Sequence, residues 1–403
     1  VIIALVYAIL SGFWGVVVTD LVQFVIAMFG SIALAIIALN YVGGMEVLLS
    51  KLNELLGSDV VTDNTLKFIP PIPDTGVATQ TFWESPFSKF LIFISVMWWS
   101  HHGTDGGGYI IQRMSSAKNE RHALLATLWF NIAHYALRVW PWIIVAVVSI
   151  VMFPIIPSEY SELGVKAGYP LVMNTLLGPG LKGILIVSFL AAFMSTIDTH
   201  LNWGVSYLIN DIYKRFFKPN ETERHYVLVG KIMTVMLMIL AAFTALKMQS
   251  ISKAWEFIFA MGAGIGLVLI LRWFWWRVNA WSEITALATS IVITISFEII
   301  AYFQTINNNL EYSLFGSAPS IFGMSLQVHH KLMIIVPIAI IAWVTVTFFT
   351  KPEPMTKLES FYKRVQPGGW WGPVTSSFNH TLQPVTKGIF ILWLAGVMMI
   401  YGF

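Results

Sequence analysis

The chain of 403 residues contains no cysteine. That excludes a disulfide framework and thiolate metal sites, and it leaves the redox compartment undetermined. Charge is scarce as well. Asp, Glu, Lys and Arg make up 11% of the residues and hydrophobic residues 57%, whereas a soluble domain is about a quarter charged. The formal net charge of +3 is spread over short connections, and no basic tract suited to nucleic acid occurs. The sequence opens and closes inside apolar tracts, Val1–Leu10 and Gly388–Phe403, with no initiator Met, signal peptide or polar tail. The expectation is the retained part of a longer protein.

What the chain has is hydrophobic length. Apolar runs long enough to cross a bilayer fall near 16–40, 87–112, 122–153, 180–210, 225–247, 254–275, 280–304 and 329–350. The fold class is therefore an all-α polytopic membrane protein, with the lipid bilayer as its solvent. Alternate connections carry the basic residues: Arg113, Lys118 and Arg121; Lys214, Arg215, Lys218 and Arg224; Arg272 and Arg277; Lys351, Lys357, Lys363 and Arg364. By the positive-inside rule these face the cytoplasm. The connections 41–86, 154–179, 248–253 and 305–328 face outward, the first as an amphipathic helix over Met45–Leu56 followed by an extended Pro70-Pro71-Ile72-Pro73 segment. Only Trp276–Asn279 separate two of the spans, which requires a tight inner turn.

Two polar clusters interrupt the apolar runs. In Ala192-Phe-Met-Ser-Thr-Ile-Asp-Thr199 three hydroxyls and a carboxylate lie within two turns of a spanning segment. Polar groups at that depth mark an ion or substrate path. Ala192, Ser195, Thr196 and Thr199 recur at i, i+3, i+4 and i+7 and share one face. A backbone carbonyl and hydroxyl oxygens on one stripe suit a hard monovalent cation, so this is a candidate sodium site.

The second cluster is Trp98-Trp-Ser-His101-His102-Gly-Thr104-Asp105-Gly-Gly-Gly108, in the middle of the 87–112 run. Three successive glycines weaken a helix by about 1 kcal/mol each relative to Ala. Irregular backbone in a membrane occurs only where it lines a cavity or is covered by protein. This predicts a broken helix of the kind that builds a transporter's midplane site. A glycine-rich packing face is the plainer alternative, and it leaves His101, His102 and Asp105 unexplained. The histidines could also ligate a metal or haem, although neighbouring helical residues diverge by about 100° and share one ion poorly. His134, in the next span, reads as a hydrogen-bonded core histidine.

Three segments resemble the sodium/solute symporters, a family that includes sodium-driven sugar, proline and sialic acid carriers. They are Gly15-Val-Val-Val-Thr19-Asp20-Leu-Val-Gln23; Thr104-Asp105 with Gln112-Arg113-Met-Ser-Ser-Ala117-Lys118-Asn119; and Ala191-Ala192-Phe-Met-Ser195-Thr196 with Leu201-Asn202 and Asp211-Ile-Tyr213-Lys214-Arg215. The tract Leu271–Glu283, with Phe361–Gly369, is similar to a bacterial branch of that family.

The resemblance implies a leucine-transporter-type inverted-repeat helix bundle, incomplete at both ends. In that frame residues 1–40 close the first inverted repeat, with Val1–Leu10 ending core helix four and Thr19–Asn40 forming helix five. Residues 41–86 are an extracellular loop, 87–275 the second repeat (core helices six to ten) and 276–403 additional C-terminal transmembrane helices. The first three core helices of the same protein would be the missing partner of the site.

The resemblance also implies a function: a sodium-coupled secondary symporter, not an enzyme, importing a small polar solute (sugar, amino acid or carboxylate) by alternating access. The membrane would be the bacterial cytoplasmic (inner) membrane. Sodium, the one cofactor implied, would bind at Ala192, Ser195 and Thr196. Asp20, Asp198 and Thr199 would hold a second cation; equally open is that Asp198, about 60° off the stripe, pairs with an Arg or with Asn202 as a structural group. Trp98, His101, His102, Asp105 and Glu256 are the candidate solute-binding residues. Two readings from other classes stand beside this one. One is a transporter-like membrane sensor or scaffold subunit. The other is a membrane-embedded metal or haem protein using His101 and His102.

Overall fold

The computed structural model describes residues 2–56, 69–72, 79–101, 103–104, 107–161, 163–248, 251–308, 319–321 and 324–375. Among the described residues seven helices are long and apolar enough to cross a membrane: Val17–Val42, Glu120–Met152, Pro179–Phe217, Glu223–Leu246, Ile251–Phe274, Ala280–Asn307 and Val328–Phe349. The chain is thus an all-α, multi-pass integral membrane protein. Helices dominate because hydrocarbon offers backbone N–H and C=O groups no partner, so each segment must satisfy its own.

Two segments differ from the sequence-based spans. Ile2–Val42 is one continuous helix across the stretch where separate fourth and fifth core helices are implied; residues 11–18 contain no proline to part them. The 87–112 run is divided. Pro86–Ile92 passes through a π turn, Phe93–Met97, to Trp98–Ser100, and the helix resumes only at Gly107–Ser115. The outer helix Met45–Leu56 forms where its amphipathic pattern places it, with Leu48 and Leu52 buried. Of the extended Pro70–Pro73 segment, residues 70–72 are described and have no regular structure.

The chain divides into two compact units that interleave in sequence, Val1–Phe68 with Leu124–Leu246, and Ile69–Ala123 with Lys247–Phe403. In the first, helix Pro179–Tyr207 packs along helix Ile2–Val42. A Cβ built on Gly30 would lie 2.7 Å from Leu185 Cδ2, so the absence of a side chain there lets the two helices close. Ten residues back from Gly30 is Asp20, and ten forward from Leu185 is Ser195; those two are hydrogen-bonded. The pair is therefore antiparallel, and its register holds over roughly 15 Å. Leu34, Ala38, Val145, Val148, Val172 and Leu185 form the core beside this crossing.

In the second unit, helices Ala280–Asn307 and Val328–Phe349 pack side by side, with Ile251–Gly262 against both. Lys331 Nζ and Glu298 Oε1 bridge the pair at 3.5 Å, each side chain only 12% exposed. The tight inner turn is held by Asn279, whose side chain accepts from Ser282 N at 3.1 Å while Ser282 Oγ meets Thr347 Oγ1 at 2.6 Å. Helix Met355–Val365 brings Trp370 and Trp371 back to this turn. Trp370 N donates to Phe274 O at 2.6 Å and Trp371 Nε1 to Trp273 O at 3.1 Å. Gly369 makes that return at φ +96°, with no room for a Cβ beside Phe274.

The Gly30 crossing generates a test. Gly30→Ala in the purified protein should lower stability by about 1–3 kcal/mol through overpacking, and the same change should cost less in a Leu185→Ala background, where the clashing side chain is gone. A thermal melt in detergent measures both. Equal melting of wild type and Gly30→Ala would contradict the close approach.

Candidate functional site

The hydroxyl stripe lies on helix Pro179–Tyr207 of the first unit. Ser195 Oγ donates to the Asp20 carboxylate across the helix pair. Thr196 Oγ1 donates to Ala192 O at 2.8 Å, and His200 Nδ1 lies 2.8 Å from Thr196 O. Both hydroxyl protons are thus used inside the protein, and each oxygen keeps lone pairs for a cation. The Ala192 carbonyl differs: it accepts the Thr196 hydroxyl in addition to the helical N–H of Thr196, which takes up its two lone pairs. A cation at that carbonyl requires the Thr196 hydroxyl to turn. Ala192 and Thr196 lie on an exposed part of the helix, while Ser195 is half-buried against Asp20.

Asp198 is fully buried, at 0% exposure. Asn202 Nδ2 donates to its Oδ1 at 2.7 Å, one turn along the same helix. Thr199 is buried beside it. The structure therefore brings Asp20 to Ser195 and Asp198 to Asn202.

The solute candidates lie in the second unit. Helix Trp98–Ser100 ends in an extended residue, His101, at φ −86° and ψ 166°. Breaking a helix exposes its last carbonyls, and Thr104 closes them. Its Oγ1 lies 2.8 Å from Trp99 O and 2.6 Å from His101 O, so one hydroxyl proton serves both. The His101 ring packs 5.9 Å from that of Phe259, which in turn lies 5.7 Å from Trp255. Glu256, on the same helix as Phe259, is paired with Lys253 at 2.9 Å. Trp98 is exposed. His102 and Asp105 lie outside the described residues. Among the described residues no three His, Asp or Glu side chains gather as metal ligands would.

A second break was missed in the sequence. The span Ile251–Phe274 is interrupted between Gly262 and Gly266, and a Cβ on Gly266 would fall on the Trp99 carbonyl oxygen. The two helix breaks of this unit therefore meet backbone to backbone. The signal was legible, since Gly262-Ala-Gly264-Ile-Gly266 sets three glycines at alternate positions within an apolar run. Ser100, 1% exposed, lies at the same place, and its hydroxyl has no hydrogen-bond partner among the described residues.

This geometry can be set beside known proteins. The sequence model of the sodium:solute symporter family matches residues 1–293. The chain is similar to the rabbit (Oryctolagus cuniculus) sodium/glucose cotransporter 1, at 26% identity over 86% of this chain and 55% of that protein. It is similar to the osmoregulated proline transporter of Bacillus subtilis, at 23% identity over 73% of this chain and 56% of that one. A shorter stretch, 26% of this chain and 21% of the relative, is 36% identical to the sodium/proline symporter of Haemophilus influenzae. The chain spans about half the length of the first two relatives.

The meeting of the breaks yields a prediction. Gly266→Val places a branched side chain on fixed backbone atoms, and Thr104→Val strips two carbonyls of their donor at about 1–3 kcal/mol. Both variants should melt earlier than wild type, with Thr104→Ser retaining stability. A Gly266→Val protein as stable as wild type would show that the two breaks do not touch.

Proposed function

This chain belongs to the sodium:solute symporter family, and we propose that it works in a sodium-coupled secondary symporter that imports a small polar solute by alternating access. The observation that carries the reading is the Ser195–Asp20 hydrogen bond between two spanning helices. A carboxylate and a hydroxyl at membrane depth are expensive unless they serve an ion or substrate path. Here the Ser195 hydroxyl donates a hydrogen bond to the Asp20 carboxylate, which makes the hydroxyl oxygen more electron-rich toward a cation. Ala192, Ser195 and Thr196 are the proposed sodium ligands; Asp20 supplies nearby negative charge. Ala192 and Thr196, being exposed, can receive a cation together with ligands from outside the described residues.

Asp20, Asp198 and Thr199 are the proposed second-cation set. The Asn202 bond to Asp198 favours the other reading of that residue, a structural pair. Solute recognition is proposed for the first helix break, with Trp98, His101, His102 and Asp105, and for Glu256 further along the same unit. The relatives named for glucose and proline transport support a small polar solute without selecting among sugar, amino acid and carboxylate. The inverted-repeat assignment of residues 1–40 and 87–275, the loop at 41–86, the added helices of 276–403 and a bacterial cytoplasmic membrane complete the proposal. Mechanistically, sodium and solute would each stabilise the same conformer, so that the sodium gradient drives uptake.

Two measurements test it. In proteoliposomes of the intact protein, uptake of labelled proline or glucose should require an inward sodium gradient. Changing Ser195 and Thr196 together to Ala should raise half-saturating sodium by about tenfold or more, the equivalent of one lost charge-assisted contact; uptake indifferent to sodium would refute the coupling. Asp198→Asn should lower the sodium-to-solute ratio if Asp198 holds a second ion. An unchanged ratio with an earlier melt would assign Asp198 to structure.

A further inference from the structure

In the second unit a cavity of about 570 Å3 opens among three helices, Pro86–Ile92 with its π turn, Ile251–Gly262 and Val328–Phe349, with Glu84 outside the lining but within electrostatic reach of His329. The size suits a small organic molecule. Its polar lining consists chiefly of Lys89, Lys253, Glu256 and His329, and its floor is apolar, formed by Phe93, Met97 and Leu332 among others. The distribution of basic connections puts this end of the helices on the outer side.

The charges of the lining do not balance. Lys253 and Glu256 neutralise one another at 2.9 Å. His329 Nε2 lies 2.9 Å from Trp83 O and is occupied with that carbonyl. Lys89 remains: it forms no ion pair among the described residues. Two of the three helices also begin at the cavity, at Ile251 and Val328, adding the positive ends of their dipoles. An excess of one ammonium over an apolar floor selects for one negative charge attached to an apolar body. A neutral polyol gains nothing from Lys89, and Glu256, the lining carboxylate, is already engaged.

We propose that this cavity is an outer receiving site for a small monocarboxylate with an apolar body, held by Lys89 through its carboxylate and by Phe93, Met97 and Leu332 through its hydrocarbon. Glu256 acts here by fixing Lys253 at the rim. The inference deepens the transport reading, on which it rests for the solute's destination, but the binding itself needs no sodium.

The test uses the intact protein in lipid nanodiscs in sodium-free choline buffer, titrated with 4-fluorobenzoate or its neutral analogue 4-fluorobenzyl alcohol and followed by fluorine NMR line broadening. The carboxylate should bind more tightly than the alcohol. Lys89→Gln should weaken the carboxylate by about tenfold and leave the alcohol unchanged, and Lys89→Arg should retain binding. Equal binding of the two probes, no binding of the carboxylate, or a Lys89→Gln protein that binds it as wild type does would each overturn the proposal. Ser195→Ala separates the two readings. Loss of sodium-driven uptake with probe binding intact supports both; sodium-indifferent uptake with a Lys89-dependent probe site sinks the coupling and leaves the receiving site standing.

Discussion

Hydrocarbon offers polar groups no partner, and every polar group carried into a spanning helix must find one within the protein. Three carboxylates meet this demand in three ways. Asp20 reaches across a helix pair to Ser195. Asp198 turns to Asn202 on its own helix. Glu298 takes Lys331 from the neighbouring helix in a nearly buried ion pair. The last pairs opposite charges through one carboxylate oxygen, while Glu298 Oε2 is buried with no hydrogen-bond partner among the described residues. The first differs in reach: it joins a hydroxyl of one spanning helix to a carboxylate of another.

That first contact depends on how closely two helices approach. Gly30 sets the separation ten residues away from Asp20, against the same partner helix. Without a hydrophobic driving force between helices in lipid, close packing at small residues supplies much of the association. The second unit uses the same device differently. Gly266 admits the carbonyl end of a broken helix instead of a side chain, so two interruptions support each other. Small residues thus position both the oxygen stripe and the helix breaks.

Much of this was legible in the sequence because lipid makes the rules severe. Spans follow from apolar length; the glycines pointed to a break, but it falls before them, at His101, and Gly107 and Gly108 open the resumed helix. The amphipathic Met45–Leu56 segment announced its own helix. What escaped was tertiary. Nothing local distinguishes Asn202 from Asp20 as a partner for the 195–199 cluster, because the first is set by a helical turn and the second by a crossing. The contact between Gly266 and Trp99 joins residues far apart in the chain, and a triple glycine announces a break without saying what fills it. The continuous Ile2–Val42 helix was hidden for the opposite reason: a family frame suggested a division that no residue there enforces.

On the proposed reading the protein must release what it binds, and the local chemistry suits that requirement. Of the groups proposed to receive sodium, the Ala192 carbonyl already holds the Thr196 hydroxyl, a bond that ion entry would replace. Binding then exchanges one hydrogen bond or dipole contact for another instead of filling an empty, fully desolvated site. The net free energy of such an exchange is a small difference between large terms. An ion can be held long enough to bias a conformation and still leave. A site of bare, preorganised carboxylates would bind more tightly and release more slowly. On the proposed reading, hydroxyls and a carbonyl at the stripe, with the carboxylate one bond behind, would keep sodium affinity within the range a transport cycle can use.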